Sequence, residues 1–204
     1  MSKKKNTQRK RQAAEQRKPF AFKESYDAII MGGGASSLAC AVSCLREARA
    51  AGAALPNILL VEQGKRIGAP ILRSGNGRCN FSNSQLDVSR YWNSTFVSQT
   101  LGFLGGGPVR PITNWFEELG LVWEEAPESG GLLYPFSNKA SSVLEVLMAA
   151  LPAHVVDIHP CVKALETHRS YDGFDVLLEE SRSATGNGDA VASESNGAPQ
   201  QATV

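Results

Sequence analysis

Residues 26–39 read YDAIIMGGGASSLA, and this stretch decides the architecture. Tyr26–Met31 is a short apolar run, rich in isoleucine, that ends at three glycines, the pattern of a buried strand in a parallel sheet. From Ala35 to about Ala50 the residues are small or helix-favouring. Leu38, Val42 and Leu45 repeat there at the four-and-three spacing of one apolar stripe, and Gly52 and Pro56 close the helix. Ile58–Val61 (ILLV) is a second buried strand, ending at Glu62 and the turn residues Gln63–Gly64. Strand, helix and strand in this order and size form a right-handed βαβ unit, which places the chain in the α/β class with a parallel sheet.

The glycines carry a second message. The dinucleotide fingerprint G-x-G-x-x-G is met at Gly32 and Gly34, with Gly33 between them, while its third position holds Ser37. The first glycine makes the tight turn out of the strand. The second lets backbone amides approach a pyrophosphate, and the third lets helix and strand pack closely. Ser37 compromises only the last task, so the helix still aims its N-terminal amides and the positive end of its dipole at a diphosphate. Glu62 follows Ser37 by 25 residues, at the end of the second strand. A carboxylate there accepts both hydroxyls of an adenosine ribose and repels the extra phosphate of NADP.

Composition supports a globular body with two appendages. The chain has 204 residues, 42% of them hydrophobic and 20% charged, which is enough for a sizeable core. Its net charge of +1 conceals a split: residues 1–18 hold eight basic residues and one acid, a net of +7, which leaves −6 for the remainder. Residues 1–22 lack periodic apolar positions and read as a basic disordered tail, in which a solubilising role outweighs a nucleic-acid contact. Residues 181–204 are rich in Ser, Gly, Asn, Ala and Gln and read as a second disordered, low-complexity tail. Residues 23–180 form the domain between. Four irregularly spaced cysteines do not make a disulfide framework, and there is no apolar run long enough to span a membrane. A cytoplasmic location is expected.

Beyond the βαβ unit, residues 71–84 are rich in Gly and Asn and read as a loop, as do residues 101–111. Ile112–Leu119 and Lys139–Leu151 read as helices, the second with Ser137 as N-cap. Val155–Ile158, Cys161–Thr167 and Phe174–Glu179 read as strands, the last two as a hairpin across Asp172–Gly173.

Four segments together, YDAIIMGGGASSLA at 26–39, LLVEQGKRIG at 59–68, SGNGRCNFSN at 74–83 and LYPFSNKASSV at 133–143, resemble a family of bacterial flavoproteins. Its members are often labelled aminoacetone-oxidase-family FAD-binding enzymes or NAD(P)/FAD-dependent oxidoreductases. The S-G-x-G-R-C-N block is the specific part. The resemblance covers residues 26–180 and implies a Rossmann-like FAD-binding domain whose closing hairpin begins the connection to a substrate domain. It implies that Gly32, Gly33 and Gly34, with Ser36 and Ser37, face the FAD pyrophosphate and that Glu62 faces the adenosine ribose, with Gln63, Lys65 and Arg66 nearby. The loop Ser74, Gly75, Asn76, Gly77, Arg78, Cys79 and Asn80 would run along the cofactor, and Val162 would offer a main-chain contact to the adenine. Read from the residues alone, the alternating glycines of that loop expose successive amides as an anion nest, and Arg78 can fork onto a phosphate; an Asn/Gly-rich surface turn is the other reading.

The chain departs from the family at Ser37, at Pro70, where a basic residue is usual, and in length. Family members run to about twice this size, so a truncated domain is expected. Cys79 has no second thiol within six residues and reads as a packing residue rather than a redox centre. Cys40 and Cys44 do not fill a metal shell, and His154, His159 and His168 show no ligand spacing with any cysteine. No nucleophile–base pair emerges, as expected where a flavin carries the reaction. The expected function is an FAD-dependent oxidoreductase that passes hydride between NAD(P)H or an organic donor and a small-molecule substrate, without membrane contact. The rival is a non-catalytic dinucleotide-binding module with the basic tail as docking arm.

Overall fold

The computed structural model describes residues 22–105, 107, 109–180 and 200–204; the basic tail, apart from Phe22, and most of the second tail lie outside them. The βαβ unit forms as the sequence dictates. β1 (Ala28–Met31) leads into α1 (Ala35–Ala50), which returns the chain to β2 (Ile58–Glu62). β2 lies between β1 and β6 (Val156–Pro160) in a three-stranded parallel sheet, with Ala28 opposite Ile58 and Ile58 opposite Val156.

The central strand shows why both faces must be apolar. Side chains alternate across a strand, so Ile58 and Leu60 face a helical layer while Leu59 and Val61 face a second sheet. The helical side gathers Leu38, Val42 and Leu45 of α1 with Val143 and Leu147 of α5 (Ala140–Ala149). The other side gathers Val162, Val176, Leu178 and Ala202. Four successive β2 residues are at most 1% exposed. Burying each such side chain contributes roughly 1.5–3 kcal/mol, which makes this strand the anchor of the three-layer stack.

The second sheet is antiparallel, formed by β7 (Val162–Arg169), β8 (Phe174–Glu180) and β9 (Gln200–Thr203). The expected hairpin is its first two strands. β9 corrects the assignment of residues 181–204 to a disordered tail: the described residues 200–204 pair with β8, Ala202 opposite Val176, and Tyr26 donates its amide to the Thr203 carbonyl. Composition misled because an edge strand is held by its backbone ladder. One buried alanine suffices here.

Other corrections fall between β2 and α5. α2 (Ala69–Arg73) and a 3-10 turn (Ser74–Gly77) occupy the start of the expected 71–84 loop, and β3 (Ser82–Asn83) its end. Five residues are too few to show a helical period; Gly68 at φ 71° and a proline at the start set α2 off instead. α3 (Ser94–Leu104) reaches into the expected 101–111 loop. It is capped by the Asn93 side chain, which accepts from the Phe96 amide at 3.1 Å, and none of its residues is buried, so no apolar stripe betrays it. α4 (Arg110–Glu118) begins slightly before the expected helix. β4 (Trp123–Glu125) and β5 (Leu132–Pro135) then complete a small antiparallel sheet, order β3-β5-β4. The N-cap of α5 is Lys139 rather than Ser137, whose Oγ instead accepts from the Lys139 amide and pairs with Ser142.

Candidate dinucleotide and substrate site

Gly32 leaves β1 at φ 105°, a backbone conformation that favours glycine, and donates to the Val61 carbonyl at 2.8 Å. Gly33 is used by the fold itself. Its amide donates to Glu62 Oε2 at 2.7 Å and its carbonyl accepts from the Gly68 amide at 2.7 Å. A Cβ there would lie 2.9 Å from both Glu62 Cβ and Ile67 Cδ1. Gly33 is therefore a packing glycine between two loops. The amides that remain to face an anion begin at Gly34, where an added Cβ meets nothing within 4 Å. Gly34 caps α1 without a side-chain cap, and the first turn holds no acid, so the unpaired amides and the positive helix end are open to a negative group. Ser37 fits the third position: Gly32's Cβ would sit 3.5 Å from its Oγ, an ordinary contact.

Glu62 is fixed by two backbone donors, Gly33 to Oε2 and Gly64 to Oε1 at 2.6 Å. Each carboxylate oxygen keeps a second lone pair for a hydroxyl. The Gly64 anchor was not among the residues expected at the site, although its place two residues after Glu62 in a turn is the signal that finds it. The Gly64 carbonyl accepts from Cys161 at 2.9 Å, which ties the start of β7, with buried Val162, to the same rim. Gln63, Lys65 and Arg66 are exposed around that rim.

The loop after α2 is a left-handed turn. Gly75, Asn76, Gly77 and Cys79 all have positive φ, and a Cβ on Gly75 would sit 2.8 Å from the Asn80 amide. The Arg78 and Cys79 amides donate back to Gly75 and Ser74 at 3.1 and 3.0 Å, so any nest is confined to the earlier amides. Arg78 stacks over the ring of Tyr134 at 4.5 Å, a partner missed from sequence although it lies in the fourth resembling segment. Cys79 is buried at 6% exposure, and burial pushes its thiol pKa up against a smaller opposing hydrogen bond from Ser74.

Between α1, the 74–80 loop, α4 and α5 lies a cavity of about 640 Å³. Ala35, Ser36 and Ala39 of α1 open onto it, with Ser74, Cys79 and Asn80 on one side and Phe81, Ile112, Trp115, Phe116, Val143 and Leu147 forming an apolar wall. Among the described residues no charged side chain lines it. Phe81 and Phe116 meet edge to face at 5.0 Å, as do Trp115 and Phe116. The wall residues were not expected from sequence, because segments far apart in the chain bring them together. Among the described residues no group of three or more His, Cys, Asp or Glu is placed to hold a metal, and no helix is long and apolar enough to cross a membrane. The pair Cys40 and Cys44 lies on α1; Cys44's pKa is pushed up first by burial and then by Cys40.

Residues 26–201, which include the glycine turn, the uncapped helix and the anchored acid, match the model of the HI0933-like protein Rossmann domain. The chain belongs to that family. Among curated relatives, the 3-dehydro-bile acid delta(4,6)-reductase of Clostridium scindens is 35% identical over 155 residues, covering 75% of this chain and 35% of that protein. The ribosomal RNA dihydrouridine synthase of Escherichia coli is 36% identical over 160 residues, 76% of this chain and 36% of that protein. The chain thus spans about a third of the length of these relatives. The structure of Thermovibrio ammonificans THI4 is similar at a TM-score of 0.49 and 10% identity, covering 88% of this chain and 54% of that one.

Proposed function

We propose that this chain binds FAD and is the cofactor-binding part of an oxidoreductase that reduces a carbon–carbon double bond conjugated to a carbonyl. The observation that carries the proposal is the uncapped N-terminus of α1, which opens through Ala35 and Ser36 onto the apolar cavity. The residues fit the cofactor. The amides from Gly34 through the first turn of α1 would hold its diphosphate, with Ser36 and Ser37 alongside, and Glu62 the adenosine ribose, near Gln63, Lys65 and the Val162 backbone. The 74–80 loop, with Arg78 and Asn80, would line its path toward the cavity. When bound and reduced, FAD supplies hydride. NAD(P)H or an organic donor would reduce it.

What the two relatives' names share supports this substrate class. One is a reductase of a Δ4,6 bile acid with an oxidised 3-position, and the other makes dihydrouridine; both add two hydrogens to a double bond in conjugation with a carbonyl. The apolar wall and uncharged lining of the cavity favour a small uncharged substrate. A second reading, an RNA substrate, is favoured by the eight basic residues among the first 18, a composition suited to a polyanion.

The experiment is to purify the full chain, add FAD and record the flavin bands after gel filtration. Retention of the bands, and their bleaching by NADH or NADPH, is the expected result; a colourless protein that takes up no FAD overturns the proposal. Binding to an rRNA fragment that disappears when residues 1–21 are removed would favour the RNA substrate.

A further inference from the structure

α3 presents its apolar side outward. At about 100° per residue, Phe96, Val97, Leu101, Phe103 and Leu104 share one arc roughly 160° wide, and Ser94, Thr95, Ser98, Gln99 and Gly102 fill the opposite side. A surface helix normally turns its apolar arc toward the core, yet no residue of α3 is buried. Val97 and Leu101, at one edge of the arc, are half-buried. Phe96 at 62%, Phe103 at 92% and Leu104 at 55% exposure stand in the open, beside Tyr91 and a wholly exposed Trp92. Among the described residues, five of the eleven exposed large hydrophobic residues thus fall within 91–104. Clustered in this way, they mark a surface that is covered in use.

We propose that this face docks on an anionic lipid surface, with α3 lying in the plane of the headgroups and the basic N-terminal segment as a second attachment. Charge and residue type favour lipid over other occupants. Residues 91–109 hold no charged side chain, so the face enters the headgroup layer without stripping water from an ion. Tyr91 and Trp92 stand at its start, the two aromatic types that settle at membrane–water interfaces. Arg90 and Arg110 flank it, both exposed, Arg90 in a loose pair with Asp87 at 3.8 Å. Residues 1–18 carry a net +7. The 21 residues before Phe22 reach up to about 70 Å when extended, farther than a domain of this size is wide. An RNA partner would meet no cation between Arg90 and Arg110 to neutralise its phosphates. A second copy would bring up another +7 segment, which repels the first. Insertion and charge together hold a protein on a bilayer where one signal alone is marginal. The expected freedom from membrane contact rested on the absence of a spanning run, and an interfacial helix needs none. Leu104 also lines the cavity, so docking sets the mouth of that apolar space against the leaflet, where an apolar substrate can enter it without crossing water.

Vesicle flotation of the full chain tests it, with vesicles of phosphatidylglycerol mixed with phosphatidylcholine set against phosphatidylcholine alone. The unaltered chain is expected to float with the anionic vesicles. Phe96→Ser combined with Phe103→Ser, both at exposed positions, should lower the bound-to-free ratio by about tenfold or more. Removing residues 1–21 should lower it by about tenfold or more on the anionic vesicles only. An unaltered chain that stays with the soluble fraction overturns the proposal, as does a double variant, or a chain lacking residues 1–21, that floats as well as the unaltered chain. A second measurement needs no variant. Tryptophan emission of the unaltered chain should shift to the blue on adding anionic vesicles, as Trp92 leaves water, and should be quenched by lipids brominated on their acyl chains; neither shift nor quenching overturns insertion. If the unaltered chain elutes from gel filtration as a dimer and the double variant as a monomer, the face belongs to a second copy. If the double variant loses binding to an rRNA fragment, the face belongs to RNA. Either result overturns the lipid assignment.

Discussion

The two ends of the ligand surface are made of different materials. At the glycine end the working groups are backbone amides and one carboxylate. Gly33 and Gly64 donate to the Glu62 carboxylate at 2.7 and 2.6 Å, and Gly32 donates to the Val61 carbonyl at 2.8 Å. At the cavity end they are side chains delivered by separate segments, with Ser36, Cys79, Trp115 and Leu147 all lining one cavity. The difference teaches where each end is vulnerable. A backbone site is lost when a side chain intrudes or an acceptor disappears. A site built of side chains tolerates repacking at similar volume but depends on the whole stack being formed.

The largest expected effect separates two adjacent glycines. Gly33→Val places its Cβ against Glu62 and Ile67 at 2.9 Å, an overpacking that costs roughly 3 kcal/mol in urea unfolding. Gly34→Ala has open space and a negative φ of −87°, so stability is expected to change by no more than about 0.5 kcal/mol. Its methyl group stands where the diphosphate would approach, and FAD affinity, read by flavin fluorescence titration, should fall tenfold or more. Equal destabilisation by the two changes would break the distinction between a packing glycine and a ligand-facing one.

Next in size is Glu62→Gln. The carboxylate accepts from two backbone amides, and glutamine offers one oxygen, so its NH2 is turned toward a donor. One half-buried amide is left without an acceptor, at a cost of about 1–2 kcal/mol, and the affinity for FAD should fall with it. A denaturation midpoint equal to that of the unaltered chain would show that the anchor is replaceable by water.

The same contrast explains how much was legible in the sequence. The βαβ unit, its glycine turn and Glu62 were readable because each depends on residues near in sequence: a strand's apolar run, a helix's stripe, a conformation that favours glycine. Gly33 was placed among the cofactor residues with the two fingerprint glycines that flank it, and sequence does not say which neighbour it will meet; its bond to Glu62 and its closeness to Ile67 are tertiary facts. α2, β3 and β9 were hidden for another reason. Elements of two to five residues show no period, and β9 is held by backbone pairing that composition does not report. The cavity wall was hidden most completely. Phe81, Trp115 and Val143 read as ordinary apolar residues until the chain brings α4 and α5 together around the 74–80 loop.

A smaller effect is expected at the junction of the two ends. Arg78 lies over Tyr134 at 4.5 Å while remaining exposed, and such a contact contributes about 0.5–1 kcal/mol. Arg78→Ala should therefore lower stability by that amount. Arg78→Lys should recover part of the stability, because a cation over the ring is kept, but less of any FAD affinity, because the planar fork is lost. If lysine restores both equally, Arg78 acts as a point charge rather than as a fork.

The smallest effect is a pH dependence, and its sign follows from His159 at the end of β6. Burial lowers the pKa of this imidazole, with Asp157 opposing more weakly, and the Phe22 ring meets it edge to face at 5.1 Å. Asp157 itself is engaged by Lys23 and by the Tyr26 hydroxyl, which explains why its pull on the imidazole does not win. In the unfolded chain His159 titrates near pH 6.5. Below that value the unfolded chain binds the proton more readily than the folded one, so folding stability declines as pH falls through the unfolded pKa toward the lowered folded one. The contribution is complete above about pH 6.5. Comparing urea midpoints at pH 7.5 and pH 5 for the unaltered chain and a His159→Phe variant isolates this residue from the other titrating groups. The unaltered chain should lose more stability than the variant on acidification; the reverse would mean that attraction to Asp157 outweighs burial and that the imidazole is held charged.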